Sequence, residues 1–114
     1  QLDEDWPCAS SLDYSQEEKK FLEDRNVKLA MAAVCRRCGS CSASCPRGAA
    51  IPELLRVHMY AFSYGNLLHA RQTLDAIPGD RGLRLCQDCD SCRAGCVNRV
   101  QVGRRIDQLK GVYA

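Results

Sequence analysis

The stretch CRRCGSCSASC, residues 35–45, decides the fold, and CQDCDSCRAGC at 86–96 repeats it. Both read C-x2-C-x2-C-x3-C. Cys35, Cys38, Cys41 and Cys45 map onto Cys86, Cys89, Cys92 and Cys96 at an offset of 51 residues. The correspondence runs past the cysteines: Ser40 maps onto Ser91, Ala43 onto Ala94, Ile51 onto Val102 and Leu55 onto Ile106. Each half is therefore a cysteine loop followed, six residues after its last cysteine, by an apolar residue that opens a helix. Self-similarity at a fixed period marks a repeated structural unit. Two copies predict a pseudo-twofold domain.

Eight of the nine cysteines lie in these runs. A disulfide framework favours an even count at varied spacings. Neighbours in a Cys-x-x-Cys run bridge each other poorly but converge readily on one metal centre. A cubane [4Fe–4S] cluster takes four thiolates, one per iron. Two-residue spacing lets three consecutive cysteines wrap three corners while backbone N–H groups turn inward. The fourth cysteine leaves at a wider spacing and heads a helix. In two-cluster ferredoxins that fourth cysteine ligates the other cluster. The assignment that follows is Cys35, Cys38, Cys41 and Cys96 for one [4Fe–4S] cluster, and Cys86, Cys89, Cys92 and Cys45 for the second. Such crossing would tie the halves together, because metal binding is coupled to folding. Zinc is the chief competitor. Zinc sites pair two Cys-x-x-Cys knuckles, four ligands per ion, which leaves the third cysteine of each run unexplained.

The bulk numbers agree. A chain of 114 residues makes one small domain with a marginal core of its own. The net charge of +2 and pI of about 8.1 do not suggest nucleic acid. The longest apolar run, Leu29 to Val34, falls far short of the ~18 residues of a membrane span. The chain begins at Gln1, as expected of a processed chain or of a piece of a longer one. A cytoplasmic location is expected; if exported, the chain would travel folded with its clusters inserted.

Residues 1–14 read as an irregular arm, and 15–114 as the domain. Ser15-x-x-Glu18 is a capping box. Phe21, Leu22, Val27, Leu29, Met31, Ala32 and Val34 carry helical spacing up to Cys35. Ile51-Pro52 opens the next helix, with proline where its missing N–H is harmless, and Gly65 stops it. Asn66 caps another, which Pro78-Gly79 ends. A last helix covers roughly 102–112. No stretch alternates as a strand would. The fold predicted is all-α with two cysteine loops.

The double CxxCxxCxxxC, Pro46 after the first run, the stretch CPRGAAIPELLR at 45–56 and the helical insert between the runs together resemble the alpha-helical ferredoxins. Within that group the chain looks most like the C-terminal ferredoxin domain of some aldo-keto reductases. It is also similar to cluster subunits of heterodisulfide reductases and of anaerobic glycerol-3-phosphate dehydrogenase. The resemblance covers about residues 15–114. It departs at Val97, where these families usually have proline, so a more mobile second loop is expected. It implies electron transfer to or from a redox partner protein or a fused catalytic domain, an aldo-keto reductase or other oxidoreductase. With every iron thiolate-filled, no catalytic site is expected in the chain itself. A scaffold domain, in which metal only staples the fold, is the alternative.

Cys8 lies outside the repeat, beside Trp6 and Pro7, and reads as a spare thiol. His58 and His69 read as packed or surface histidines rather than ligands. Tyr60, Phe62 and Tyr64 read as core or partner-facing aromatics. Arg36, Arg37 and Arg47 flank the first run, whereas Asp88 and Asp90 flank the second, offset by Arg93. Solvated loop tips are the plain reading. A higher potential at the first-loop cluster is the functional one.

Overall fold

A computed structural model describes residues 13–32 and 34–113. Among the described residues there are helices and turns and no strand, so the fold is all-α. The elements are α1 (Gln16–Glu23), α2 (Arg25–Ala32), α3 (Ser40–Ser44), α4 (Ile51–His58), a π-helical turn (Met59–Ser63), α5 (Leu67–Asp75), α6 (Arg84–Gln87) and α7 (Val102–Tyr113). The described residues fall into two compact units that divide between Met31 and Ala32.

In the first unit the capping box forms as the sequence predicts. Ser15 Oγ accepts from Glu18 N at 3.2 Å, and Ser15 N donates to Glu18 Oε2 at 2.7 Å. The single helix expected up to Cys35 is instead broken at Asp24. Its N–H closes α1 on Lys20 O, and its carboxylate accepts from Asn26 N at 2.6 Å. A short polar side chain that bonds nearby N–H groups favours a cap over a helix interior. No residue of α1 is buried.

The second unit is built around α4, which packs on α3, the π turn, α5 and α7. Ile51, Leu54, Leu55 and Val57 of α4 meet Ile106 and Leu109 of α7 in the fully buried core. Pro52 sits in the first turn of α4, as predicted. Past His58 the helix widens: Tyr64 N donates to Met59 O at 3.1 Å, an i to i+5 bond, before Gly65 ends it at φ 65°. Asn66 Oδ1 caps α5 by accepting from His69 N at 3.0 Å. The insert is tied back where Ala50 N donates to Arg81 O at 2.8 Å.

The 51-residue repeat is written into the hydrogen bonds. Gly48 N to Cys45 O (3.2 Å) matches Arg99 N to Cys96 O (3.1 Å). Ile51 N to Ala49 O (2.8 Å) matches Val102 N to Val100 O (2.9 Å). Leu54 N to Ala50 O (3.0 Å) matches Arg105 N to Gln101 O (3.2 Å). Gly48 and Arg99 both turn left-handed, at φ 70° and 61°. The turn forms with Val97 as with Pro46. Gly95 N donates to Ser44 Oγ at 2.9 Å, a contact between equivalent positions of the two copies. That is the self-complementary contact a twofold relation produces.

Candidate metal centres

All eight cysteines of the two runs are free thiols. Cys35 and Cys38 lie in the open segment before α3, Cys41 within it, and Cys45 just after it. Cys86 lies in α6, and Cys89, Cys92 and Cys96 in the chain that follows. The two loops are not copies in their backbone. Arg37 and Gly39 turn left-handed in the first, at φ 55° and 78°, whereas the second is entered through α6.

Cys45 stands with the second run. With Cys86, Cys89 and Cys92 it lines a cavity of about 270 Å³, whose wall includes Ile51 and Ile106, one from each repeat. Cys86 is buried, and burial pushes its thiol up to about 11. Repulsion from Cys92, Cys45 and Cys89 adds to the rise, and Lys110 opposes it. Lys110 Nζ also donates to Cys86 O at 3.4 Å.

Cys96 stands with the first run. Cys41 is buried, and burial raises its pKa, helped by repulsion from Cys35, Cys96 and Cys38 and opposed by its own backbone N–H. Cys38 is exposed, and its pKa is lowered, chiefly by the Ser40 hydroxyl 3.3 Å away, then by the Ser40 N–H, with a smaller contribution from Arg36. Arg37 N donates to Cys35 Sγ at 3.4 Å. Asn98 donates from its backbone N–H to Cys96 Sγ at 3.3 Å and from Nδ2 to Cys38 Sγ at 3.8 Å.

Each group of four thiols thus takes three members from one run and the fourth from the other. Crowded thiolates repel unless a cationic centre lies between them. An iron cubane supplies one iron per thiolate, which fits sulfurs placed around a space rather than at a point. Among the described residues no group of three or more Cys, His, Asp or Glu is arranged to hold a single metal ion.

The charges differ from the sequence expectation. Arg47 does not flank the first group. Cys45 carries it across, and it lines the second cavity together with Arg93, Lys110 and Asp90. There it pairs with Asp88 at 3.0 Å. Arg37 pairs with Glu53 at 3.4 Å. The positive flank expected for the first group alone is therefore shared between the two.

His58 is buried, donates from Nε2 to Gln108 Oε1 at 2.8 Å and stacks on Phe62 at 4.6 Å. Burial holds its pKa below the usual histidine value. His69 is exposed and meets the edge of Tyr60 at 4.3 Å. Phe62 and Tyr64 are exposed, while Tyr60 packs on the core. Cys8, with Trp6 and Pro7, lies outside the described residues. Ser40, marked in the sequence only as a repeat position, Asn98 and Lys110 join the two groups of thiols without having been expected there. Asn98 had a signal: like Arg47, it follows a fourth cysteine by two residues.

A family model described as a 4Fe-4S dicluster domain matches residues 34–101, well over half of the chain. The chain has no significant match among curated proteins or among solved structures.

Proposed function

Because the chain belongs to the 4Fe-4S dicluster domain family, with two [4Fe–4S] clusters and an electron-transfer role, we propose that it relays electrons to or from a partner oxidoreductase. In this reading Cys35, Cys38, Cys41 and Cys96 hold one cluster, and Cys86, Cys89, Cys92 and Cys45 hold the other. The observation that carries it is the exchange of fourth cysteines between the two groups of thiols. When bound, each cluster supplies a one-electron couple. The protein's part is to seat the thiolates and set the charge around them. Ser40 favours the thiolate at Cys38, while Lys110 and Arg47 bring positive charge to the second group. Ile51 and Ile106 give that group an apolar wall. Cys38 is the exposed member of the first group, a place where a partner can approach. The resemblance to the ferredoxin domain of aldo-keto reductases supports a reductase, fused or separate, as that partner.

Cys41 and Cys86 belong to the hydrophobic core, so metal binding here also holds the fold. Reversible redox cycling separates a relay from a staple. The chain reconstituted under anaerobic conditions should bind about eight irons. On reduction it should give EPR signals broadened by coupling between two centres. Cys96→Ser should alter the same signal as Cys41→Ser, and Cys45→Ser the same signal as Cys89→Ser. The opposite grouping would overturn the crossed ligation. Stoichiometric zinc, or centres that do not cycle, would overturn the relay.

A further inference from the structure

The residue two positions after each fourth cysteine crosses to the other loop, but the two crossings end differently. Arg47 ends on the carboxylate of Asp88 at 3.0 Å. Asn98, its equivalent in the repeat, ends on a sulfur: Nδ2 lies 3.8 Å from Cys38 Sγ. We propose that Asn98 is a positioning residue that raises the potential of the centre held by Cys35, Cys38, Cys41 and Cys96, and so makes the two centres unequal. This rests on the crossed ligation proposed above.

Reduction adds negative charge that the thiolate sulfurs share. A hydrogen-bond donor at such a sulfur stabilises the reduced form and raises the potential. Cys38 has two side-chain neighbours able to donate, the Asn98 amide and the Ser40 hydroxyl. Cys89, its equivalent, faces a carbonyl instead, Leu85 O at 3.7 Å. An acceptor beside a thiolate works in the opposite sense. Arg47 and Lys110 bring positive charge to the second group, but each is paired with a carboxylate, Asp88 at 3.0 Å and Asp107 at 3.2 Å. Neither donates to a cysteine sulfur there as Asn98 does at Cys38. Arg47 and Asp88 both reach solvent, where the charge of such a pair is screened. The Asn98 backbone N–H bonds Cys96 Sγ whatever the side chain, so a side-chain substitution isolates the Cys38 contact.

The test is a potentiometric titration of the loaded chain, followed by EPR at both centres. Asn98→Asp keeps the shape and replaces the donor with a negative oxygen. It should lower the potential of the centre assigned by Cys41→Ser. The oxidised-to-reduced ratio there should change about ten-fold, or about 59 mV for a one-electron couple. The other centre should stay. Asn98→Ala should give a smaller shift of the same sign, and Asn98→Gln should recover part of it. If Asn98→Asp binds iron poorly, the Ala and Gln variants decide. Loaded variants with both potentials unchanged, or with the other centre moved, overturn the proposal. Iron content and the grouping of the cysteine variants report on the ligation independently, so the two readings fail separately.

Discussion

Gly48 and Arg99 occupy the same place in the two copies and share a left-handed backbone. An L-residue there costs about 1–2 kcal/mol, and glycine avoids it. Nothing lies within 4 Å of a Cβ built on Gly48. Gly48→Ala should therefore lose about 1 kcal/mol through backbone strain alone. Arg99→Gly should be neutral or gain up to about 1 kcal/mol. Anaerobic thermal unfolding of the loaded chain measures both, and the opposite ordering would contradict the shared geometry. At His58, burial lowers the pKa, and the charge of Arg105 on α7 adds a smaller push. The unfolded chain takes up this proton near pH 6.5, the folded chain only below that. Between the two values the unfolded state binds more protons. Stability should fall as the pH drops below about 6.5 and level off below the folded pKa. His58→Gln should lack that part of the slope; an unchanged slope would show that the ring titrates normally. The cysteine positions were legible because thiolate spacing is local chemistry. Arg47 was misplaced because it was read with the run it follows, although it lies two residues after Cys45, whose assignment to the second group carries it there.

Among the elements, α4 meets the most others and contributes four fully buried side chains. Leu54→Ala should cost about 2–5 kcal/mol, because neighbours on several sides cannot all collapse into the gap. Chemical denaturation of the loaded chain reads this, and a loss under about 1 kcal/mol would argue for a looser core than the one described. The start of α4 at Ile51-Pro52 and the caps at Ser15 and Asn66 were legible, since each rests on one residue's local bonds. Other features were not. Phe21, Leu22 and Val27 read as one helical face, yet the Asp24 carboxylate breaks it. The π turn was hidden because the apolar spacing through Phe62 continues the helical pattern, while Gly65 and the bond from Asn66 N to Tyr60 O set its end. The single turn of α3 is too short to show a period.

At the scale of the molecule, the core residues of the second unit enclose Cys41 and Cys86. A domain of this size has little hydrophobic stability to spare. Iron removal by an anaerobic chelator should therefore reduce the far-ultraviolet helical signal and sharpen protease sensitivity together. Retained helicity after complete iron loss would mean that the helices hold without metal. The all-α class and the 51-residue repeat were legible in the sequence because both are periodic. The packing of α5 against α4 was not, since an insert between repeats has no second copy to compare with. The exchange of fourth cysteines has a consequence for ancestry and for engineering. With the crossed ligation proposed above, one repeat alone would present three thiols to its own site and send the fourth elsewhere. A half-length forebear would have completed its sites only by pairing with a copy of itself, each handing a cysteine to the other. Two fragments cut within the helical insert should likewise take up iron when mixed and fail to do so when apart.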